Sequence, residues 1–574
     1  MRTRRLPFPL LADLKTAQGR DLRKDLVAGL TTAVLLVPQG MAYALLIGLP
    51  PVAGLYAALV APLGYALLGS SRELSVGPVA LDSLLVLSAL SSFASVSPDA
   101  YAALAATLAL LVAAFQVLLG ALRLGALVTL LSQPVLSGFT SAAALLIATS
   151  QLPHLLGLRS IQGTNFIEMV SQLAPELGRA EAATMLIGAV SIGLLVLQKR
   201  FAPRAPGALF VLFATTLLAK VPNFRGGLSL VGAMPEELPR FTLPPLDAAL
   251  LSQLLPSAFL IAMVGFVESI AVARLYAKKG KYPLYADREF LALGAANALA
   301  GFFQGYPVAG GLSRTAVNAQ AGARTGLSAV VTSVAVLAAL LFLTPLLSNI
   351  PQAALAAIIV TAVFSLVELR QVRERFRVQK SEGILLVFSF LATLGFGIMT
   401  GLIAGTLASL VWFLWRTTRP HLAVLGRVPG TQLFRNVKRY RGLVTYEGVL
   451  ILRLDAQLYF ANAEYFRDQL AKLEAAAPLP LQLILLDASA INHIDSSAAE
   501  LLEELDSEYE ARQIRFLLAG VKGPVRDVLE RTGLMEKRRN EYGYVSVHEA
   551  LEAYWGSGQS PHRPSRTLGT AAGL

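Results

Sequence analysis

Residues 306–322, YPVAGGLSRTAVNAQAG, and residues 75–85, SVGPVALDSLL, decide how this chain is read. Both are short, and both carry helix-start chemistry inside apolar surroundings. In the first, Gly310 and Gly311 free the backbone, and Ser313 is placed to cap the helix that follows. In the second, Gly77 permits an extended entry and Pro78 suits a first helical turn. Two interrupted segments at corresponding places in two halves point to a midplane site built from inverted repeats. Their N-termini would present unpaired N–H groups and positive dipole ends to one cavity. Such a cavity suits an anion, and Arg314 adds a full positive charge.

The composition supplies the membrane. Of 574 residues, 55% are hydrophobic and only 15% charged, against roughly a quarter charged in an ordinary globular domain. Mean hydropathy is +0.59. A water-soluble fold has too little polar surface to cover a core of that apolarity, so a bilayer must do so. The chain has no cysteine and five histidines, which excludes a disulfide scaffold and a thiolate site and leaves little for a histidine metal centre. The formal charge of +12 reflects the excess of Lys and Arg on cytoplasmic loops rather than a nucleic-acid partner.

Apolar stretches run from about Asp25 to about Arg416. The clearest cover 26–47, 51–69, 100–121, 131–151, 183–198, 253–273, 325–345, 351–367 and 382–415, the last long enough for two crossings. Shorter segments near 75–92, 208–221, 289–304 and 310–321 bring the expected count to about fourteen. Loop charge gives an independent check. Basic residues cluster at Arg2, Arg4, Arg5, Lys15, Arg20, Arg23 and Lys24, then at Lys199/Arg200/Arg204, Arg274/Lys278/Lys279/Lys281 and Arg370/Arg373/Arg375/Arg377/Lys380. With a cytoplasmic N-terminus every cluster falls inside, and the acid-rich segments 152–182 and 222–250 fall outside. Both ends are then cytoplasmic, and the first apolar run reads as a span, not a cleaved signal.

After Arg416 the composition changes. Residues 419–436, with Pro420, Gly426, Pro429 and Gly430, read as a linker, and 437–556 as a small α/β domain. GVLILRL, LQLILLD and IRFLLAG are strands; AEYFRDQLAKLEAAA and SSAAELLEELDSEYEA are helices between them. That alternation implies a sheet covered by helices on at least one face. Residues 557–574 read as a disordered tail.

Three charged residues lie well inside the expected spans: Asp82, Glu268 and Arg314. Such residues are functional by default. Each also has a plainer reading: internal pairing for Asp82, a helix cap for Glu268, and snorkelling from a helix end for Arg314.

PQGMAYALLIGLPPVAGLY (38–56), GSSRELSVGPVA (69–80), VESIAVAR (267–274) and GGLSRTAVNAQAG (310–322), in this order, resemble the SulP family of sulfate permeases and related anion transporters. RVPGTQLFRNVKRY, LYFANAEYF and INHIDSSAAELL resemble the STAS domain that these transporters carry. The resemblance spans about residues 8–556. It implies a polytopic α-helical membrane protein of fourteen segments in two inverted repeats of seven, at about 25–222 and 250–418 within 25–418, folded as core and gate domains. A cytoplasmic N-terminal segment, 1–24, precedes them, and a cytoplasmic STAS domain follows. By resemblance the anion sits between the starts of the third and tenth segments, at Gly77, Pro78 and Val79 and at Gly311, Leu312, Ser313 and Arg314. Gln39 and Tyr43 would line it. Val79 stands where the family often has an aromatic residue, which implies a roomier pocket.

Glu268 matches a glutamate of the proton-coupled relatives. Protonation would cancel a charge that a low-dielectric cavity and an incoming anion both disfavour. The sodium-coupled branch has an aspartate and threonine arrangement not found in FVESIAVAR. Asp82 departs from the family pattern and either pairs with Arg314 or joins the proton path. In bacterial STAS regulators an Asp-Ser-Ser-Gly loop presents a phosphorylated serine; here Asp495-Ser496-Ser497 precedes Ala498, so Ser497 is the candidate, against plain helix capping by Asp495 or Ser496.

The expectation is a secondary active transporter, without metal or cofactor, that takes up sulfate with protons across a plasma (bacterial inner) membrane. It would sit in lipid as a homodimer and need no nucleic acid. Rival cargoes are bicarbonate, a C4-dicarboxylate or chloride; a nucleobase permease is disfavoured by Ser313-Arg314. A membrane-anchored STAS signalling protein is the rival of another class. No Walker loop, metal cluster or nucleophile with its base marks an enzyme.

Overall fold

The computed structural model describes residues 19–93, 95–125, 132–158, 163, 165–202, 207–219, 228–232, 237–244, 247–364, 367, 369–534, 543–556 and 564–565. The basic residues Arg2, Arg4, Arg5, Lys15 and Arg204, and the tail 557–574 apart from Pro564 and Ser565, lie outside them. The chain divides into two compact units, residues 1–409 and 410–574.

The first unit is helical. Its elements are α1 Gly19–Leu46, α2 Pro51–Leu68, β1 Val76–Gly77, α3 Ala80–Leu90, α4 Pro98–Ala121, α5 Gln133–Leu156, α6 Phe166–Glu176, α7 Ala182–Phe201 and α8 Gly207–Leu218. The second half runs α9 Ala248–Gly280, α10 Ala286–Phe302, β2 Ala309–Gly310, α11 Leu312–Ala321, α12 Leu327–Phe342, α13 Thr344–Leu347, α14 Gln352–Val363, α15 Leu369–Val378, α16 Lys380–Phe396 and α17 Ile398–Thr418. Seven of the described helices are long and apolar enough to cross a bilayer, and α3, α8, α12 and α14 are shorter apolar helices. A count of fourteen crossings would have to include the shorter and broken elements.

Between apolar helices in lipid, association rests on close packing rather than on water exclusion, so small residues mark the contacts. Gly40 of α1 and Gly54 of α2 lie back to back: a Cβ on Gly54 would stand 1.9 Å from the Gly40 carbonyl oxygen. Gly64 of α2 meets the Ala295 backbone of α10 in the same way, at 2.7 Å from its carbonyl oxygen. Gly294 and Gly301 seat α10 on α4. These contacts fix α1, which carries Gln39 and Tyr43, and α10, which precedes β2.

β1 and β2 pair antiparallel, with Val76 opposite Gly310 and Gly77 opposite Ala309. Two chain breaks more than two hundred residues apart thus meet in one two-stranded ribbon. Each turns at once into a helix, α3 or α11.

The second unit is a five-stranded sheet in the order β4-β3-β6-β7-β8, with β3 Leu422–Arg427, β4 Phe434–Asn436, β6 Val449–Leu454, β7 Leu483–Asp487 and β8 Arg515–Ala519. A two-residue strand, β5 Thr445–Tyr446, stands outside it. β6, β7 and β8 are parallel; β3 runs antiparallel to β6. Helices α18 Phe460–Ala475, α19 Ser496–Ala511 and α20 Gly523–Arg531 contribute to the core on one face, around Leu452, Leu486 and Leu518. Helix α21 Val547–Gly556 closes the other face over Ile451, Leu485 and Leu517. The stretch read as a linker is not one: 419–436 contains β3 and β4. Pro420 and Pro429 stand outside both strands, where the missing N–H costs no ladder bond.

Candidate anion site

Both helix starts face the ribbon. Val79 precedes α3 in extended geometry (φ −132°, ψ 150°), and Gly311 precedes α11 (φ −90°, ψ 124°); neither donates or accepts a side-chain cap. The first-turn N–H groups of both helices therefore lack the usual side-chain acceptor. Ser313 is not the cap that the sequence led us to expect: α11 begins one residue before it, at Leu312, because Gly311 already makes the turn. Pro78 likewise stands two residues ahead of α3, on the strand side of the break.

A frame of polar side chains holds the break open. Gly310 N–H donates to Ser269 Oγ of α9 at 2.8 Å, and Gly311 N–H to the Ser75 carbonyl at 3.0 Å. Thr315 Oγ1 accepts the Ser75 N–H at 3.0 Å and donates to the Gly311 carbonyl at 2.7 Å. Upstream of β2, Asn297 of α10 binds Val308 as a strand would: Val308 N–H donates to its Oδ1 at 2.8 Å, and its Nδ2 donates to the Val308 carbonyl at 3.0 Å. Asn297 Nδ2 also reaches Gln116 Oε1 of α4 at 3.0 Å. Irregular backbone at membrane depth is tolerated where such partners satisfy it.

Arg314 is the centre. Its side chain leans toward the N-terminus of its own helix, as helical side chains do. It lies over Gly311, where a Cβ would stand 2.8 Å from the guanidinium carbon. Nη1 donates to the Pro78 carbonyl at 2.7 Å and to Gln39 Oε1 at 3.1 Å. The residue is only 2% exposed, so the snorkelling reading fails. Nε and Nη2 have no hydrogen-bond partner among the described residues. A guanidinium folded back on a helix N-terminus meets a dipole end of its own sign. Two free donors and two like charges together call for an anion.

Around Arg314 the expected residues assemble. Gln39, Tyr43 and Val79 are buried, and Tyr43 lies within electrostatic reach of Arg314 and Glu268. Gly77 faces the guanidinium, its missing Cβ 3.7 Å from Nη2 and 2.9 Å from Leu36. Leu312 and Ser313 are exposed, Leu312 by 51%, so the site opens along the start of α11.

Glu268 sits mid-helix in α9, which removes the capping reading; its Oε2 has no hydrogen-bond partner among the described residues, and its charge reaches Arg314. Asp82 is 1% exposed and both carboxyl oxygens lack a hydrogen-bond partner among the described residues, so it does not pair with Arg314. It packs instead on α9, where a Cβ on Gly265 would stand 2.6 Å from its Oδ2. Ser497 is exposed in the first turn of α19, and Asp495 caps that helix, accepting Ala498 N–H at 2.9 Å.

The sequence reading missed Ser269, Thr315, Asn297 and Gln116, because it searched the spans for charge. Uncharged amides and hydroxyls at membrane depth carry the same signal at lower strength.

The chain matches the model of the sulfate permease family over residues 22–389 and that of the STAS domain over 440–550. It is 38% identical over 564 residues to the chloroplastic sulfate transporter 4.1 of Arabidopsis thaliana, covering 95% of this chain and 82% of that one. A probable sulfate transporter of Mycobacterium tuberculosis is 36% identical over 548 residues, covering 95% and 98%. Among solved structures, the murine anion transporter Slc26a9 in its inward-facing state superposes with a TM-score of 0.88 at 26% identity, covering 96% of this chain and 94% of that one. The transmembrane domain of a cyanobacterial bicarbonate transporter shares the fold, with a TM-score of 0.60 at 24% identity over 69% of this chain and 98% of that domain. The break, the ribbon and the buried arginine thus sit in an integral membrane protein whose relatives move anions: the chain belongs to the sulfate permease family and carries a C-terminal STAS domain.

Proposed function

We propose that the protein is a secondary active transporter that takes up sulfate with protons across a plasma (bacterial inner) membrane by alternating access. The observation that carries the reading is Arg314, buried with two donor nitrogens unspent among the described residues, between two uncapped helix starts. Sulfate would accept from Nε and Nη2 and from the first-turn N–H groups of α3 and α11, displacing no existing bond. Gln39 and the Pro78 carbonyl hold the guanidinium in place from the other side. The plant and mycobacterial relatives are named as sulfate transporters, and we extend that cargo to this chain.

Glu268 supplies the coupling. An anion entering beside a carboxylate is repelled; a proton on Glu268 removes the repulsion, so the two bind together. No nucleotide is consumed, and the ion gradient drives the cycle. The basic loops support a cytoplasmic position for both termini, and the reading carries with it fourteen crossings and a homodimer supported by the STAS domain. The test is uptake of radiolabelled sulfate into proteoliposomes, with and without an inward proton gradient, in competition with bicarbonate, succinate and chloride. Gradient-stimulated uptake that only unlabelled sulfate suppresses supports the reading. Uptake of bicarbonate or succinate without sulfate keeps the site and discards the cargo.

A further inference from the structure

A groove of about 620 Å³ lies between α7 and α14, away from Arg314. On α7 its wall is Ile192, Leu195 and Val196, followed by Lys199 and Arg200. This is one helix face at spacings of three, four, seven and eight. On α14 the wall is Val360 and Thr361, with Phe364 just past the helix end. Thr361 spends its hydroxyl on its own helix, donating to the Ala357 carbonyl at 2.8 Å, so it shows the groove a methyl group. The walls are apolar and the mouth is basic.

From Ile192 to Arg200 the α7 wall rises about 12 Å, close to the ~15 Å half-thickness of a bilayer's hydrocarbon core. The two cations sit at the end of α7, where a headgroup would be. Both are exposed, and neither makes an ion pair among the described residues; Arg200 only rests over the Phe201 ring at 5.9 Å. Packing between apolar helices in lipid is normally close, so an open cleft of this size between them needs an occupant of the same chemistry as its walls. We propose that the groove is a binding site for an anionic phospholipid of the leaflet at the Lys199–Arg200 end: one acyl chain lies between α7 and α14, and the phosphate is held by Lys199 and Arg200. A zwitterionic lipid fills the groove as well and offers the same phosphate, but its own ammonium cancels that charge and weakens the attraction to the two cations. α14 also packs on α1, the helix of Gln39 and Tyr43, so the acyl chain lies one helix away from the anion site.

The chain has no cysteine, which gives a clean probe. Full-length protein bearing Phe364→Cys, labelled with a bimane, is reconstituted in vesicles containing brominated phosphatidylglycerol or brominated phosphatidylcholine. We expect half-maximal quenching at a phosphatidylglycerol mole fraction at least about five-fold lower than for phosphatidylcholine, the gain expected from one basic residue near the surface. Lys199→Gln/Arg200→Gln removes the preference, whereas Lys199→Arg/Arg200→Lys keeps it. The same label at Leu391→Cys, on the exposed face of α16, sees both lipids alike. Equal quenching by the two lipids at Phe364→Cys, or an equal preference at Leu391→Cys, overturns the proposal. So does a preference that survives loss of both charges.

Discussion

Arg314 donates to the carbonyl of Pro78 at 2.7 Å, so a side chain from the second half of the membrane unit closes the chain break of the first. The two breaks are therefore one device: the ribbon aligns two helix starts, and the guanidinium bridges them with three of its five N–H groups unspent among the described residues. The proposed anion binding and the juxtaposition of the two halves would then share the same residue.

Arg314→Lys separates the two roles. A lysine keeps the charge but cannot donate both to Pro78 and, in the same plane, to an anion. Sulfate affinity should fall by about ten- to a hundred-fold, the loss of one or two charge-assisted hydrogen bonds. Uptake at low sulfate reports the loss, and so does the sulfate-dependent rise of the melting temperature, which follows ligand concentration over Kd. An unchanged midpoint in both assays would remove Arg314 from the site.

Gly311→Ala tests the folded-back arginine without touching its charge. The backbone at Gly311 has negative φ, so alanine costs no backbone strain there. The new Cβ would instead stand 2.8 Å from the guanidinium carbon and push it off the helix start. Sulfate affinity should drop about ten-fold with the melting temperature of the anion-free protein within a few degrees of wild type. A large loss of that stability with normal affinity would make Gly311 a packing residue only.

Glu268→Gln should uncouple transport. With proton and anion entering together, as proposed, wild-type uptake should fall as the pH on the entry side rises through the titration of Glu268, by up to about ten-fold per pH unit for one coupled proton. The glutamine is neutral at every pH. Uptake should then become flat with pH and indifferent to the proton gradient, and net accumulation against a sulfate gradient should disappear. Retained gradient stimulation would move the proton to another group, with Asp82 first to be examined by the same substitution to Asn.

The membrane fold was legible because hydropathy and loop charge report directly on the bilayer. The two breaks were legible because Gly310-Gly311 and Gly77-Pro78 interrupt apolar runs. Which residue starts each helix was not: Ser313 is a good cap by type, but Gly311 makes the turn first and leaves Ser313 inside α11. The orientation of Arg314 toward Pro78 depends on a contact between residues 236 apart, and no local pattern carries that. The stretch 419–436 failed for a different reason. Pro420, Pro429 and Gly430 stand outside β3 and β4 while Gly426 lies within β3, and an edge pair reads as a linker when its partner β6 lies further along the chain.

That error changes how the soluble domain should be removed. A deletion beginning at residue 437 leaves β3 and β4 without β6, exposing unpaired edges that invite association. One beginning at 419 removes the whole sheet. The 437 deletion should aggregate on size-exclusion chromatography, and the 419 deletion should run as a single species that still selects sulfate, with lower rate or weaker dimerisation. Altered anion selectivity in the 419 deletion would assign the STAS domain a part in recognition.

Within that domain one carboxylate holds two helix starts. Asp495 Oδ1 accepts Ala498 N–H of α19 at 2.9 Å, and Oδ2 accepts Phe460 N–H of α18 at 2.8 Å. An ordinary N-cap contributes about 1 kcal/mol, and the second bond to an ionised oxygen adds at least as much. Asp495→Ala should therefore lower STAS stability by about 2–3 kcal/mol, measured by urea unfolding followed through Trp555. Ser497→Ala, which removes an exposed hydroxyl, should leave the midpoint within about 0.5 kcal/mol. If Asp495→Ala were equally mild, the carboxylate would be free of this structural duty, and the case for a phosphorylation loop at Ser497 would strengthen.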